Sequence, residues 1–159
     1  MSWIQQIDFM ILEWIQSHLQ GAALDLLMPT ITALGNGGWL FILLALVLLL
    51  SKRYRRQGCA LAVSLLLCLL VGNLFLKPLF ARLRPFEVAG LSELLISPPT
   101  DYSFPSGHTM ASFACVGVFW HYRRNFGRWS VVLLLLAALI GFSRLYLYVH
   151  FPTDVLCGA

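Results

Sequence analysis

Charge is scarce in this sequence. Only 11% of its 159 residues are charged, 59% are hydrophobic and the mean hydropathy is +0.79, whereas soluble domains carry about a quarter charged residues. That shortage excludes an ordinary water-soluble domain and puts the chain in a bilayer. A second module is excluded too: a handful of spans with their loops uses up the length, so residues 1–159 read as a single membrane-embedded domain. The first thirty-seven residues hold no Lys or Arg. They therefore offer no positively charged n-region and no cleavable signal peptide, and insertion falls to the spans themselves. Cys59, Cys68, Cys115 and Cys157 lack both a metal-type pair spacing and the loop positions of a disulfide framework. They read as small apolar side chains in or beside apolar runs. No solenoid period or low-complexity tract is present.

What the sequence does contain is segregated by type. Residues 2 to 19 carry Trp3, Ile7, Met10, Ile11 and Trp14 on one side of a helix, with Gln6, Asp8, Glu13 and Gln16 elsewhere, the pattern of an interfacial helix. A second short helix is expected from Ala22 to Leu34, ended by the turn signal Gly35-Asn36-Gly37-Gly38. Residues 1–37 thus read as an interfacial region and 38–159 as a helical core. Four apolar segments follow, about 38 to 51, 58 to 79, 107 to 121 and 129 to 149, each close to the roughly 20 residues a bilayer core requires. A fifth helix would begin near Asp154. The expected fold is an all-α, polytopic membrane helix bundle of about five transmembrane helices with N-terminal interfacial helices.

The turns Lys52-Arg53-Tyr54-Arg55-Arg56 and Arg123-Arg124-Asn125-Phe126-Gly127-Arg128 hold seven of the eleven basic residues and no acidic one. The positive-inside rule assigns both to the cytoplasm and residues 81 to 105 to the outside. The formal net charge of +4 is therefore topology, and no nucleic-acid partner is implied. Trp39, Trp120 and Trp129 fall where interfacial aromatic belts are expected. Lys77, Arg82, Arg84 and Arg144 stand at outer ends of spans, where that rule disfavours them, and need another reason to be there.

Three clusters supply one. Lys77 with Arg84-Pro85 ends a span in cations, which suits a phosphate; snorkelling cations anchored at head groups are the plainer account. Pro105-Ser106-Gly107-His108 opens the next apolar helix, and the unpaired N–H groups of a helix start favour an anion. There Ser106 can cap the helix and donate to a phosphate oxygen. A plain cap explains Ser106 and Gly107 but leaves His108 without a purpose. The third cluster runs from Ser143-Arg144 through His150 to Asp154 and puts a cation, an imidazole and a carboxylate at the membrane edge, where ionisable groups are expensive and usually functional. A turn can bring Asp154 to a ring nitrogen of His150, leaving the other free to attack; a purely structural His–Asp pair is the alternative. Topology puts all three clusters on one face. Together they equip a site for phosphoryl transfer by positioning and charge, with cations in the place of a metal ion.

Taken in order, Lys77, six residues, Arg84-Pro85, then Pro105-Ser106-Gly107-His108, then Ser143-Arg144, five residues, His150, three residues, Asp154, resemble the three-part signature of the type-2 phosphatidic acid phosphatase superfamily. The resemblance spans residues 77 to 154. It implies that His150 is the nucleophile that becomes phosphorylated, Asp154 its orienting carboxylate and His108 the general acid that protonates the leaving oxygen and later helps activate water. It implies phosphate binding by Lys77, Arg84, Ser106, Gly107 and Arg144, with no cofactor or metal. Arg82 lies outside the core signature and is assigned to the head-group rim. The family core has six helices and a complete last one, so a five-span short form cut off after Asp154 is expected.

The implied activity is hydrolysis of a membrane lipid phosphate or diphosphate on the outer face of the plasma membrane, with a polyprenyl (undecaprenyl) diphosphate as the first expectation. Phosphatidylglycerophosphate and phosphatidic acid are alternative substrates. A vanadate-dependent haloperoxidase shares the signature but is typically soluble, which the spans argue against. A non-catalytic lipid-phosphate binding or transport protein would not need the full set of His108, His150 and Asp154. Neither the oligomeric state nor the physiological lipid follows from the sequence.

Overall fold

The computed structural model describes residues 3–159, and among them all regular structure is helical. Helix α1 (Trp3–Leu19) presents Trp3, Ile7, Met10 and Trp14 outward and turns Asp8, Leu12 and Ile15 into the protein. The apolar stripe thus faces the surroundings and an acidic residue faces the core. Helix α2 (Ala22–Ala33) packs on a later helix, α9 (Trp129–Tyr146), and leads into a 3₁₀ turn, Asn36–Gly38, and α3 (Trp39–Leu50). Gly37 and Gly38 have φ of 58° and 69°, a region open to glycine at little cost, so the chain bends here without strain. The two helices meet at a bend of 40°.

After the basic turn come α4 (Arg55–Leu67), a π-helical segment (Cys68–Leu76) and α5 (Lys77–Phe80), which run on continuously. The short helix α6 (Pro85–Ala89) starts at Pro85, whose fixed φ and missing N–H suit a first helical position. A long loop then returns the chain to α7 (Gly107–His121); α8 (Arg123–Phe126) carries the second basic turn and leads into α9 (Trp129–Tyr146). The last helix, α10 (Pro152–Gly158), begins at Pro152.

Two apolar clusters hold the bundle. One lies among α3, α4, α7 and α9 around Phe41, Leu61, Cys115, Phe119 and Ile140. In the other, Leu12, Met28 and Phe86 pack on the segment from Tyr146 to Phe151. The lipid-facing side is apolar as well: Leu66, Leu70, Val71, Leu74 and Phe75 are all about half exposed or more, which is tenable only in a hydrocarbon solvent.

The apolar segments near 38, 58, 107 and 129 recur as helices, and the helix from Gly107 to His121 matches the expected bounds. The expectation of about five spans is met only in part. Among the described residues two stretches, Arg55–Ala89 and Trp129–Tyr146, are long and apolar enough to cross a membrane, and the bent pair Ala22–Ala33 with Asn36–Leu50 makes a third if it is one span rather than a re-entrant loop. Helices α7 and α10, of 15 and 7 residues, fall short of a bilayer by length. Helix α2 forms the bent pair with Asn36–Leu50.

Candidate active site

Local rules position each polar side chain. Arg84 is the N-cap of α6, its backbone N–H held by Glu87 at 2.6 Å, which orients the chain so that the guanidinium turns inward and is 2% exposed. Ser106 caps α7 by accepting from the Thr109 N–H and hydroxyl, at 3.5 and 3.0 Å. In α10, Pro152 occupies the first turn and Asp154 the third position, where Oδ2 accepts the Phe151 N–H at 2.8 Å. That capping contact draws the carboxylate back beside His150.

Six of the eight expected residues line one cavity of about 890 Å³: Lys77, Arg84, Gly107, His108, Arg144 and His150. Ser106 and Asp154 are fully buried behind its wall. His150 is central. Arg84 Nη1 lies 3.2 Å from His150 Nε2 and donates to the Val149 carbonyl at 2.6 Å. A guanidinium only donates, so Nε2 is the acceptor and the ring proton sits on Nδ1. Nδ1 faces Asp154 Oδ2 at 3.6 Å and the Ser103 hydroxyl at 3.5 Å. Burial first, then the positive charges of Arg84, Arg144 and Lys77, pushes the His150 pKa well below its usual 6.5. The ring is neutral, with its lone pair on the nitrogen nearest the cations.

Arg144 is also buried; Nη1 donates to Thr32 Oγ1 at 2.7 Å while Nε has no hydrogen-bond partner among the described residues. His108 Nε2 meets Asn36 Oδ1 at 2.9 Å, so the 3₁₀ turn of the N-terminal half reaches the site. The Lys77 ammonium and Arg84 Nη2 both pair with Asp101, the latter at 2.6 Å, and Arg84 Nε donates to the Asp101 carbonyl at 2.8 Å. Burial raises the Asp101 pKa, but the hydrogen bond and charge of Lys77 and the charge of Arg84 outweigh it and hold the group at about 2. Arg82 is not at a rim: Nη1 binds Asp154 Oδ1 at 2.6 Å and Nη2 binds Asp8 Oδ2 at 2.7 Å.

Asp8, Thr32, Asn36, Asp101 and Ser103 were missed in the sequence reading. Each acts across long sequence distance. The arrangement has three cations around an open space, an unprotonated imidazole nitrogen among them and a second imidazole on the same wall. It can bind a multiply charged anion and offer it a nucleophile.

A helical membrane protein with such an anion-handling centre is a known class. The description of the PAP2 superfamily matches residues 57–159, and the chain belongs to that superfamily, whose signature the sequence resembles; it is a phosphoric ester hydrolase. The undecaprenyl-diphosphatase of Sulfolobus acidocaldarius is 34% identical over 144 residues, covering 89% of this chain and 67% of its own. Undecaprenyl-diphosphatase BcrC of Bacillus subtilis is 32% identical over 140 residues, 88% of this chain and 69% of its own. A lipid A 4′-phosphatase of Porphyromonas gingivalis is 27% identical over 133 residues, with 76% of this chain and 55% of its own covered. Among solved structures, Aquifex aeolicus LpxE superposes with a TM-score of 0.80 at 28% identity, over 96% of this chain and 88% of that one. A phosphatidylglycerolphosphate phosphatase from Bacillus subtilis gives 0.79 at 24% identity, over 99% and 80%, a likeness of fold.

Proposed function

We propose that this protein removes phosphate from an undecaprenyl-type lipid diphosphate, on the outer face of the plasma membrane, through a phosphohistidine formed on His150. One observation carries the reading. The cavity is amphiphilic: Lys77, Arg84, Arg144, His108 and His150 line one end, and Ile42, Leu46 and Leu49 of α3 with Ala62, Leu65 and Leu66 of α4 line the other. A phosphate fits the first part and a hydrocarbon chain the second. The relatives that act on undecaprenyl diphosphate support the choice of lipid.

In the proposed chemistry Lys77, Arg84 and Arg144 neutralise the phosphate oxygens, which lets the His150 lone pair approach phosphorus. Nε2 attacks, the bond from phosphorus to the leaving oxygen breaks, and Asp154 stabilises the charge that develops on the ring through Nδ1–H. Asn36 Oδ1 accepts from His108 Nε2–H, so His108 acts as the imidazolium: Nδ1 takes a proton from solvent as the phosphate anion binds and passes it to the leaving oxygen. The same nitrogen then accepts a proton from the water that hydrolyses the phosphohistidine. The cations do the electrostatic work, and activity is independent of added divalent ions.

The test is phosphate release by the purified protein from a panel of lipid phosphates with chelator present, alongside rapid-quench trapping with phosphate-labelled substrate. Turnover on the polyprenyl diphosphate and acid-labile label that is lost in His150→Ala are expected. Label that survives in His150→Ala, or turnover that requires Mg²⁺ or Zn²⁺, would overturn the mechanism.

A further inference from the structure

Asp154 is tied into a second carboxylate. The Arg82 guanidinium binds Asp154 Oδ1 with one amino group and Asp8 Oδ2 with the other, at 2.6 and 2.7 Å. Asp8 also accepts the Thr153 N–H on Oδ1 at 3.0 Å and the Thr153 hydroxyl on Oδ2 at 2.6 Å, and the same hydroxyl accepts from Arg82 at 2.7 Å. Asp8 is 1% exposed and Asp154 0%. Beneath them the Arg82 guanidinium lies 4.0 Å from the centre of the Phe151 ring, whose edge meets Phe9 of α1.

Two carboxylates are thus buried around one cation. Burying a carboxylate is costly unless it is paired and hydrogen-bonded, so a helix that needed only to lie on a membrane has no use for Asp8 at this place. The pairing has an electrostatic result as well. If Arg82 faced Asp154 alone, its charge would be spent on that carboxylate and weaken its hold on the His150 Nδ1 proton. Sharing Arg82 with Asp8 leaves the group of three with a net negative charge, and the rigid donors on Asp8 fix the direction from which Arg82 approaches.

We propose that Asp8 and Arg82 are positioning residues for the hydrolase reaction: α1 supplies a carboxylate that sets the geometry and charge of Asp154, and through it the nucleophile His150. This rests on the proposed role of His150 and Asp154. The prediction concerns turnover more than binding, because neither Asp8 nor Arg82 lines the cavity.

The test is a double-mutant cycle in the full chain, with steady-state kinetics on a polyprenyl diphosphate and an aryl phosphate. Asp8→Asn, nearly isosteric, is expected to lower kcat about 10-fold with KM changed less than twofold, the scale of a small misplacement of a catalytic group. In an Asp154→Asn background the same change should cost nothing further. A loss of equal size in both backgrounds would mean that Asp8 merely docks α1, and an unchanged kcat would also sink the proposal. Should Asp8→Asn fail to yield folded protein by gel filtration, Thr153→Val removes the bridging hydroxyl without touching a charge; it should lower kcat about 3-fold, again only when Asp154 is present. If Asp154→Asn alone keeps full activity, the reading of His150 and Asp154 fails instead, which the cycle separates from a failure at Asp8.

Discussion

Gly35 offers a selective way to disturb the second imidazole. A Cβ built there would lie 2.6 Å from His108 Cδ2, 3.3 Å from His108 Cγ and 3.2 Å from Ile140 Cγ2. Carbon atoms need about 3.5 Å or more, so in Gly35→Ala the ring must retreat by about 1 Å. Its 2.9 Å contact with Asn36 would then open past hydrogen-bonding range. The backbone itself is not the obstacle, since Gly35 has φ −91° and ψ −9°, which alanine adopts freely. Overpacking of this kind typically costs about 1–3 kcal/mol of stability, and a displacement of about 1 Å typically costs about 10²-fold in rate. The rate loss should depend on the leaving group, because a general acid contributes about 10²–10⁴-fold only where the leaving oxygen needs a proton. Phosphate release from a lipid monophosphate such as phosphatidic acid, whose leaving oxygen departs as an alcohol, should fall about 10²-fold, while hydrolysis of an aryl phosphate with an acidic phenol should fall less than fivefold. Equal losses on both substrates, or none on the lipid, would refute the assignment of His108 to the leaving group.

Three further outcomes are expected. Arg84→Lys keeps the charge but not the fork that reaches Val149, Asp101 and His150; kcat/KM should drop at least about 10²-fold by initial-rate assay, because an ammonium cannot replace a bidentate guanidinium. Because the His150 pKa is lowered in the folded chain, the acid limb of kcat/KM attributable to that ring should lie below pH 6.5. Between the lowered value and 6.5 the unfolded chain binds more protons, so thermal stability should decline as pH falls from about 6.5 and be flat above it. In a background with the four native cysteines replaced by alanine, Arg124→Cys should resist a membrane-impermeant thiol reagent in intact cells and react after lysis; labelling without lysis would reverse the proposed orientation.

Much of this protein was legible because its signals are local. The helix from Gly107 to His121 was delimited by Pro105-Ser106 before it and by the basic turn after it, and the structure closes it with those features. The cations at Lys77, Arg84 and Arg144 stood out because charge is conspicuous at the ends of apolar runs, and all three line the cavity. Asp8 was invisible for the opposite reason: a polar residue on an amphipathic helix is ordinary, and nothing within α1 reports that its partners, Arg82 and Thr153, lie 74 and 145 residues away. Asn36 was read only as part of a turn, although its amide also meets His108. The His150–Asp154 spacing was informative but incomplete, since the carboxylate lies nearer to the Phe151 N–H than to the imidazole. The span count suffered from a different limit, because hydropathy measures apolar length and α7 is short and largely enclosed by its neighbours.

The π-helical segment from Cys68 to Leu76 carries a genetic consequence. Such a segment typically holds a residue more than the regular helix it interrupts, and it stands directly before Lys77. Removing a single codon within it would let the helix wind regularly again and leave Lys77, and the segment carrying Arg82 and Arg84, on nearly the same face, because the π winding already absorbs the extra residue. The segment tolerates a change of one residue in length with the cavity intact. A codon lost from α7, which holds no such segment, would instead turn its far end by about 100° with a shift of about 1.5 Å.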